Sequence, residues 1–185
     1  YLAPEFQRKG MPAGTEMAQD RFALAVVIFQ LLNFGIHPYS GRPGNAQVAT
    51  DIPGRIRDGC YAYGIKRHKQ LAPNATSGHA LMPPELRAMF DRAFSPSPKP
   101  QRPSAADWAQ LLRGYAQRSD GKLVVCTANA EHQHFAGLGC AACARDKVIV
   151  AAGQASVLAQ QQIQAQSQPR QRSARGAHHT APGQA

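Results

Sequence analysis

The chain has 185 residues, 43% of them hydrophobic and 17% charged, with 21 Lys and Arg against 11 Asp and Glu for a net charge of +10. That apolar content can fill the core of one moderate domain, and no run approaches the ~20 apolar residues of a membrane-spanning helix. The basic excess is uneven, because residues 147–185 carry four Lys and Arg and no acidic residue.

In chain order, the first strong element runs from Asp20 to Gly35. Asp20 suits an N-cap, Gly35 suits a left-handed stop, and the positions between are apolar on every side, which predicts a core helix buried all round. Gly35-Ile36-His37-Pro38-Tyr39-Ser40-Gly41 reads as a turn, with His37 a turn residue and not a general base, and Gly41-Arg42-Pro43-Gly44 as a second turn. Residues 64–81, with Pro73, Asn74, Ser77 and Gly78, predict a long insertion on the surface. Pro83–Phe94 predicts an amphipathic helix with Leu86, Met89, Phe90 and Ala93 on one stripe. After a proline-rich loop, Ser104 and Asp107 form a capping-box start, and Trp108, Leu111, Leu112 and Tyr115 recur at helical spacing.

Together with the opening Tyr1-Leu2-Ala3-Pro4-Glu5, this order resembles the C-terminal lobe of the protein kinase family over roughly residues 1–116. In that family Ala-Pro-Glu closes the activation segment, and the long apolar helix runs through the lobe. Ile56-Arg57-Asp58-Gly59-Cys60-Tyr61 resembles the end of the next kinase helix, and Arg102-Pro103-Ser104 the loop before the closing one. The resemblance implies that Glu5 pairs with Arg102, that Asp20 holds the backbone of a catalytic loop, and that Tyr1 and Leu2 border a substrate site. Phe22 stands where most kinases carry Trp and Ala25 where they carry Gly. With His37-Pro38-Tyr39, these residues resemble a bacterial branch of kinase-like proteins that bear a Cys/His knuckle after the lobe.

Such a knuckle follows. Cys126, Cys140 and Cys143 lie within 18 residues, with His132 and His134 between them. A Cys-x2-Cys pair brings two thiolates to one ion from a tight turn, and an upstream Cys and His can complete a tetrahedral zinc site. The expected ligands are Cys126, His132, Cys140 and Cys143. His134 is the alternative to His132, and the family's Cys-x5-His spacing favours His132. Four protein ligands would leave no open position, so the zinc would be structural. A redox or disulfide role and inert thiols are the competing readings, although no βαβ pattern surrounds the pair. Thiols held for zinc imply a reducing compartment, and cytoplasmic localisation is expected. Cys60 reads as a small buried apolar residue.

Val148–Ile163 predicts a frayed helix, and the Gln- and Ala-rich chain beyond about Ser167 predicts a disordered tail bearing Arg170, Arg172, Arg175, His178 and His179. Sparse Arg without interleaved aromatics reads as a solvated tail, with weak nucleic-acid contact as the alternative.

The expected fold class is therefore mainly α: a partial kinase C-lobe (1–118), a zinc knuckle (119–147) and a low-complexity basic tail (148–185). The family's Gly-rich loop, strand Lys, catalytic Asp and metal-binding Asp-Phe-Gly all precede Ala-Pro-Glu. The chain is accordingly expected to be a fragment, inactive alone, of a parent that would use Mg-ATP on a protein substrate. A non-catalytic zinc-binding scaffold or interaction module is the alternative.

Overall fold

The computed structural model describes residues 1–44, 47–66, 68–97 and 100–167. It is mainly α, with short antiparallel hairpins as its described sheet structure. The lobe holds α1 (Pro4–Lys9), α2 (Glu16–Leu32), α3 (Ile52–Arg57), α4 (Pro84–Phe94) and α5 (Ala105–Ala116). Strands β1 (Arg42–Pro43) and β2 (Leu71–Ala72) pair with Arg42 opposite Ala72. A second hairpin, β3 (Leu123–Val125) with β4 (Gln133–Phe135), leads into α6 (Ala141–Ser167). Among the described residues no helix is long and apolar enough to cross a membrane.

The starts of α4 and α5 follow from local chemistry. Pro84 opens α4, where its missing N–H costs nothing. The Ser104 hydroxyl accepts from the Asp107 N–H while the Asp107 carboxylate accepts from the Ser104 N–H, closing a capping box at α5. Leu86, Met89, Phe90, Ala93 and Phe94 of α4 are all buried, as are Trp108 and Tyr115 of α5. These faces meet α2 in an aromatic core, where Phe90 lies 4.9 Å from Phe29 and 5.0 Å from Trp108 between ring centroids, and Phe22 lies 5.9 Å from Phe94.

Four expectations about the lobe are corrected. Helix α2 begins at Glu16 after Thr15, so Asp20 sits one turn inside it and caps nothing. It is also one-sided: Phe22, Ala25, Val26, Ile28 and Phe29 are buried, whereas Val27 is 52% and Leu31 78% exposed. Composition alone gave no polar face from which to read that asymmetry. Arg42 and Pro43 form a strand and not a turn. Their partner strand lies in the segment expected to be a surface insertion, and that segment reaches the core. Leu71 and His79 are buried, and fully buried Asn33 accepts from the Ser77 hydroxyl at 2.9 Å and the Gly78 N–H at 2.8 Å. A single buried carbonyl oxygen taking two donors ties the loop to the end of α2.

By contacts the chain divides into Tyr1–Ile149 and Val150–Ala185. In the second unit, the side chains from Val150 to Gln164 are all exposed on α6. The helix starts seven residues before the expected Val148, because Cys140 and Ala144 already close its first turn. Arg170, Arg172, Arg175, His178 and His179 lie outside the described residues.

Candidate functional site

Two constellations stand out in Tyr1–Ile149. The first joins residues 97 positions apart: Arg102 donates from Nη1 and Nη2 to the two carboxylate oxygens of Glu5, the latter bond at 2.8 Å. The Arg102 side chain is 5% exposed, its Nε donates to the Ala93 carbonyl at 3.1 Å, and its guanidinium lies 5.1 Å from the Phe22 ring centroid. The fork is thus satisfied on every side, the condition under which a buried cation is tolerated. Burial by itself would raise the Glu5 carboxyl, but the Arg102 hydrogen bond, the local backbone N–H and the Arg102 charge together hold it below its ordinary value. Gln19, which the sequence did not single out, fastens the preceding segment. Its amide accepts from the Ala3 N–H at 2.8 Å and donates to the Tyr1 carbonyl at 3.0 Å. Tyr1 and Leu2 are exposed beside it. The Asp20 side chain is exposed and makes no hydrogen bond or ion pair with any described residue.

The pair gives a pH prediction. Because the folded carboxyl titrates lower than the unfolded one, its stabilisation is complete above the ordinary value of 4.5 and is lost as pH falls through the lower folded value. Glu5→Gln should therefore lower the urea midpoint near neutral pH, and the gap to the parent chain should close in acid. A gap independent of pH would contradict this linkage.

The second constellation is a cluster of thiols. The antiparallel register sets Val125 opposite Gln133, and the turn between is closed by the Cys126 N–H on the His132 carbonyl at 2.9 Å and the His132 N–H on the Asn129 carbonyl at 3.0 Å. This folds His132 back toward Cys126. Cys140 precedes α6 and Cys143 lies in its first turn, so the other two sulfurs arrive at a helix N-terminus, where backbone N–H groups favour thiolates. The Sγ atoms of Cys126, Cys140 and Cys143 lie within 4.8 Å of one another, and those of Cys126 and Cys143 are 3.6 Å apart. His132 Nδ1 lies 3.4 Å from Cys143 Sγ and 3.8 Å from Cys140 Sγ. Its Nε2 is 3.2 Å from Asn129 Nδ2 and 4.0 Å from an Asp146 carboxylate oxygen. His134 turns elsewhere, with Nδ1 3.1 Å from the Phe135 carbonyl.

The separations among the three sulfurs suit a metal, and His132 Nδ1 approaches Cys140 and Cys143 but stands outside the set whose atoms all lie within 4.8 Å of one another. A tetrahedral ion with M–S of ~2.3 Å and M–N of ~2.05 Å has S···S edges of ~3.8 Å and S···N edges of ~3.6 Å. Backbone N–H groups of Ala128 and Asn129 draw Cys126 down, whereas hydrogen bonding to Cys126 and Cys140 pushes Cys143 up. Three thiols this close cannot all ionise unless a cation lies among them. The cluster could hold a metal ion. Cys60 is remote from it in the lobe core, where burial raises its thiol.

Site and fold thus describe a mainly α lobe closed by an Arg–carboxylate clamp and followed by a possible metal knuckle. Comparison with known proteins supports a kinase-like relationship. The chain is 31% identical over 152 residues to Protein kinase YegI of Escherichia coli strain K12, and 31% identical over 152 residues to Protein kinase YegI of Escherichia coli O157:H7. Each match covers 79% of this chain, and the chain spans 23% of the length of each relative. No protein-family model and no solved structure matches the chain.

Proposed function

We propose that this chain is the C-terminal part of a Ser/Thr protein-kinase-like protein: the helical lobe that would carry a protein substrate, a structural zinc knuckle and a basic tail. The observation that carries the reading is the bidentate Glu5–Arg102 clamp across 97 positions, which supports the correspondence of Ala3-Pro4-Glu5 with the end of a kinase activation segment. Asp20, exposed on α2, is then available to a catalytic loop, and Tyr1 and Leu2 flank the substrate side. In this reading phosphoryl transfer from Mg-ATP belongs to a longer protein, since the residues that hold ATP and metal lie before Ala-Pro-Glu in kinases.

Zinc is the ion that suits the knuckle, because three soft thiolates and an imidazole favour it and a closed tetrahedral set leaves no catalytic position. Cys126, Cys140, Cys143 and His132 Nδ1 would hold it, and its role would be to fix the hairpin against the start of α6. Free thiols dedicated to zinc fit a reducing, cytoplasmic setting. The thiol cluster also keeps a second reading in play, a non-catalytic zinc-binding scaffold.

The discriminating experiment is a phosphotransfer assay on the chain and on the longer gene product, with a generic protein substrate and Mg-ATP. The chain alone should be inactive and the longer protein active. Turnover by the chain alone would overturn the assignment of chemistry to a longer protein, and inactivity of both would favour the scaffold.

A further inference from the structure

The lobe carries a basic cleft that neither the clamp nor the knuckle uses. It lies between the β1–β2 hairpin, the 3-10 turn His79–Leu81 and the start of α4, with a volume of about 880 Å³. Arg42, Lys69 and Arg87 line it with His68 and His79, and no Asp or Glu is among its described lining residues. Two nitrogens on its walls are unpartnered, whereas the Arg42 Nε donates to the Pro73 carbonyl at 3.4 Å. His79 is 6% exposed, yet its Nε2 has no hydrogen-bond partner, and neither does the buried Nε of Arg87. A buried Arg Nε without a partner is rare and costly, and the neutral His79 ring can offer a second N–H in its Nε2 tautomer, so this wall can receive an acceptor. His68 supplies another donor, because its Nδ1 accepts from the Gln70 N–H at 3.2 Å and leaves the proton on Nε2.

We propose that this cleft binds a phosphate monoester carried on a protein side chain. Three cations facing one cavity without a lining carboxylate suit a dianion, and the planar forks of Arg42 and Arg87 match phosphate oxygens. Asp91, which interacts with Arg87 from the adjoining cleft, accepts from the Ile65 N–H at 2.9 Å through Oδ2, and its buried Oδ1 has no hydrogen-bond partner. The space is many times that of one phosphate group, so the anion belongs to something larger. The lining aromatic, Tyr63, is 4% exposed and presents no open face on which a nucleobase could stack, so a peptide fits better than a nucleotide. His79 is held down to about 4, by burial first and the Arg87 charge second. A bound dianion would reverse part of that depression.

The test is calorimetric titration of the whole chain with a blocked pentapeptide bearing a central phosphoserine, with its unphosphorylated form and with inorganic phosphate. The imidazole resonances of His79 are followed by NMR through the same titrations. The phosphopeptide should bind, more weakly as salt rises, and shift the His79 resonances; the unphosphorylated peptide should bind at least about tenfold more weakly. Binding of inorganic phosphate without the peptide would make the free anion the ligand and still support the site. Lys69→Gln and Arg87→Gln should each weaken binding, by about tenfold for Arg87. Lys69 is exposed, so its substitution reads the charge without risk to folding. Equal binding of both peptides, no binding of any phosphate probe, or binding unchanged by Lys69→Gln in a folded chain would overturn the proposal. None of these results depends on the knuckle or on phosphotransfer.

Discussion

Replacing Cys143 with Ser is expected to abolish stoichiometric zinc binding. Cys143 lies 3.6 Å from the Cys126 sulfur and 3.4 Å from His132 Nδ1, so its loss would remove the proposed ligand that approaches the most others. In small zinc modules the metal supplies apparent binding free energies of about 10–16 kcal/mol, far more than short hairpins can contribute. The β3–β4 hairpin has three residues per strand, and its contacts with the lobe include the edge-on meeting of Phe135 with Tyr115 at 5.1 Å. Chelation should therefore unfold the hairpin and part Phe135 from Tyr115, whereas the aromatic core of the lobe and the Tyr115–Glu85 hydrogen bond should persist. Elemental analysis of purified chain should give one zinc for the parent and for Cys60→Ser, and close to none for Cys143→Ser. Affinity should also fall as pH is lowered, because protons compete for the thiolates. Equal zinc content in the parent and Cys143→Ser would refute the site.

The largest loss of stability is expected from Phe90→Ala. Phe90 is fully buried and its ring meets Phe29, Phe94, Trp108 and His79. Helices α2, α4 and α5 share that contact, so no one element can move in to fill the space. Truncations of buried Phe typically cost about 3–5 kcal/mol, a large part of the 5–15 kcal/mol that holds an average domain together. Leu31→Ala on the exposed face of the same α2 should change stability by no more than about 0.5 kcal/mol. Urea unfolding of the two variants, followed by Trp108 fluorescence, checks both. Comparable losses would mean that the Leu31 face is covered in solution.

Much of this architecture is legible in the chain because it rests on short-range rules. The α4 stripe and the Ser104–Asp107 cap involve residues within one or two turns, and pattern is enough to find them. The spacing of Cys126, Cys140 and Cys143 signals a thiol cluster for the same reason, and the structure brings the three sulfurs together. What the sequence hides is long-range. An α2 that is apolar at every position from Phe22 to Phe29 does not say which side faces the core, and the exposure of Leu31 emerges only once α4 is in place. Residues 64–81 carry the composition of a loop, yet Asn33, some 45 positions upstream, draws Gly78 inward. The two-residue strands at Arg42 and Leu71 are too short to show alternation. Among the site residues, Gln19, Asn129 and Asp146 are ordinary polar side chains whose partners are set by the fold. His79 and Arg87 likewise become notable only when their buried nitrogens are found without acceptors.

The position of Cys140 and Cys143 bears on how α6 forms. Ordering the first turn of a helix fixes several dihedrals for a single hydrogen bond, and this nucleation step keeps isolated helices frayed in water. The first turn of α6 runs from Cys140 to Ala144 and encloses Cys143. An ion gripped by both sulfurs would lock that turn, leaving only propagation, which is easy through a stretch rich in Ala and Gln. The knuckle would thus act as a helix seed: with the ion in place α6 grows outward from Cys140, and without it the exposed residues beyond Ile149 lose the nucleus from which they extend.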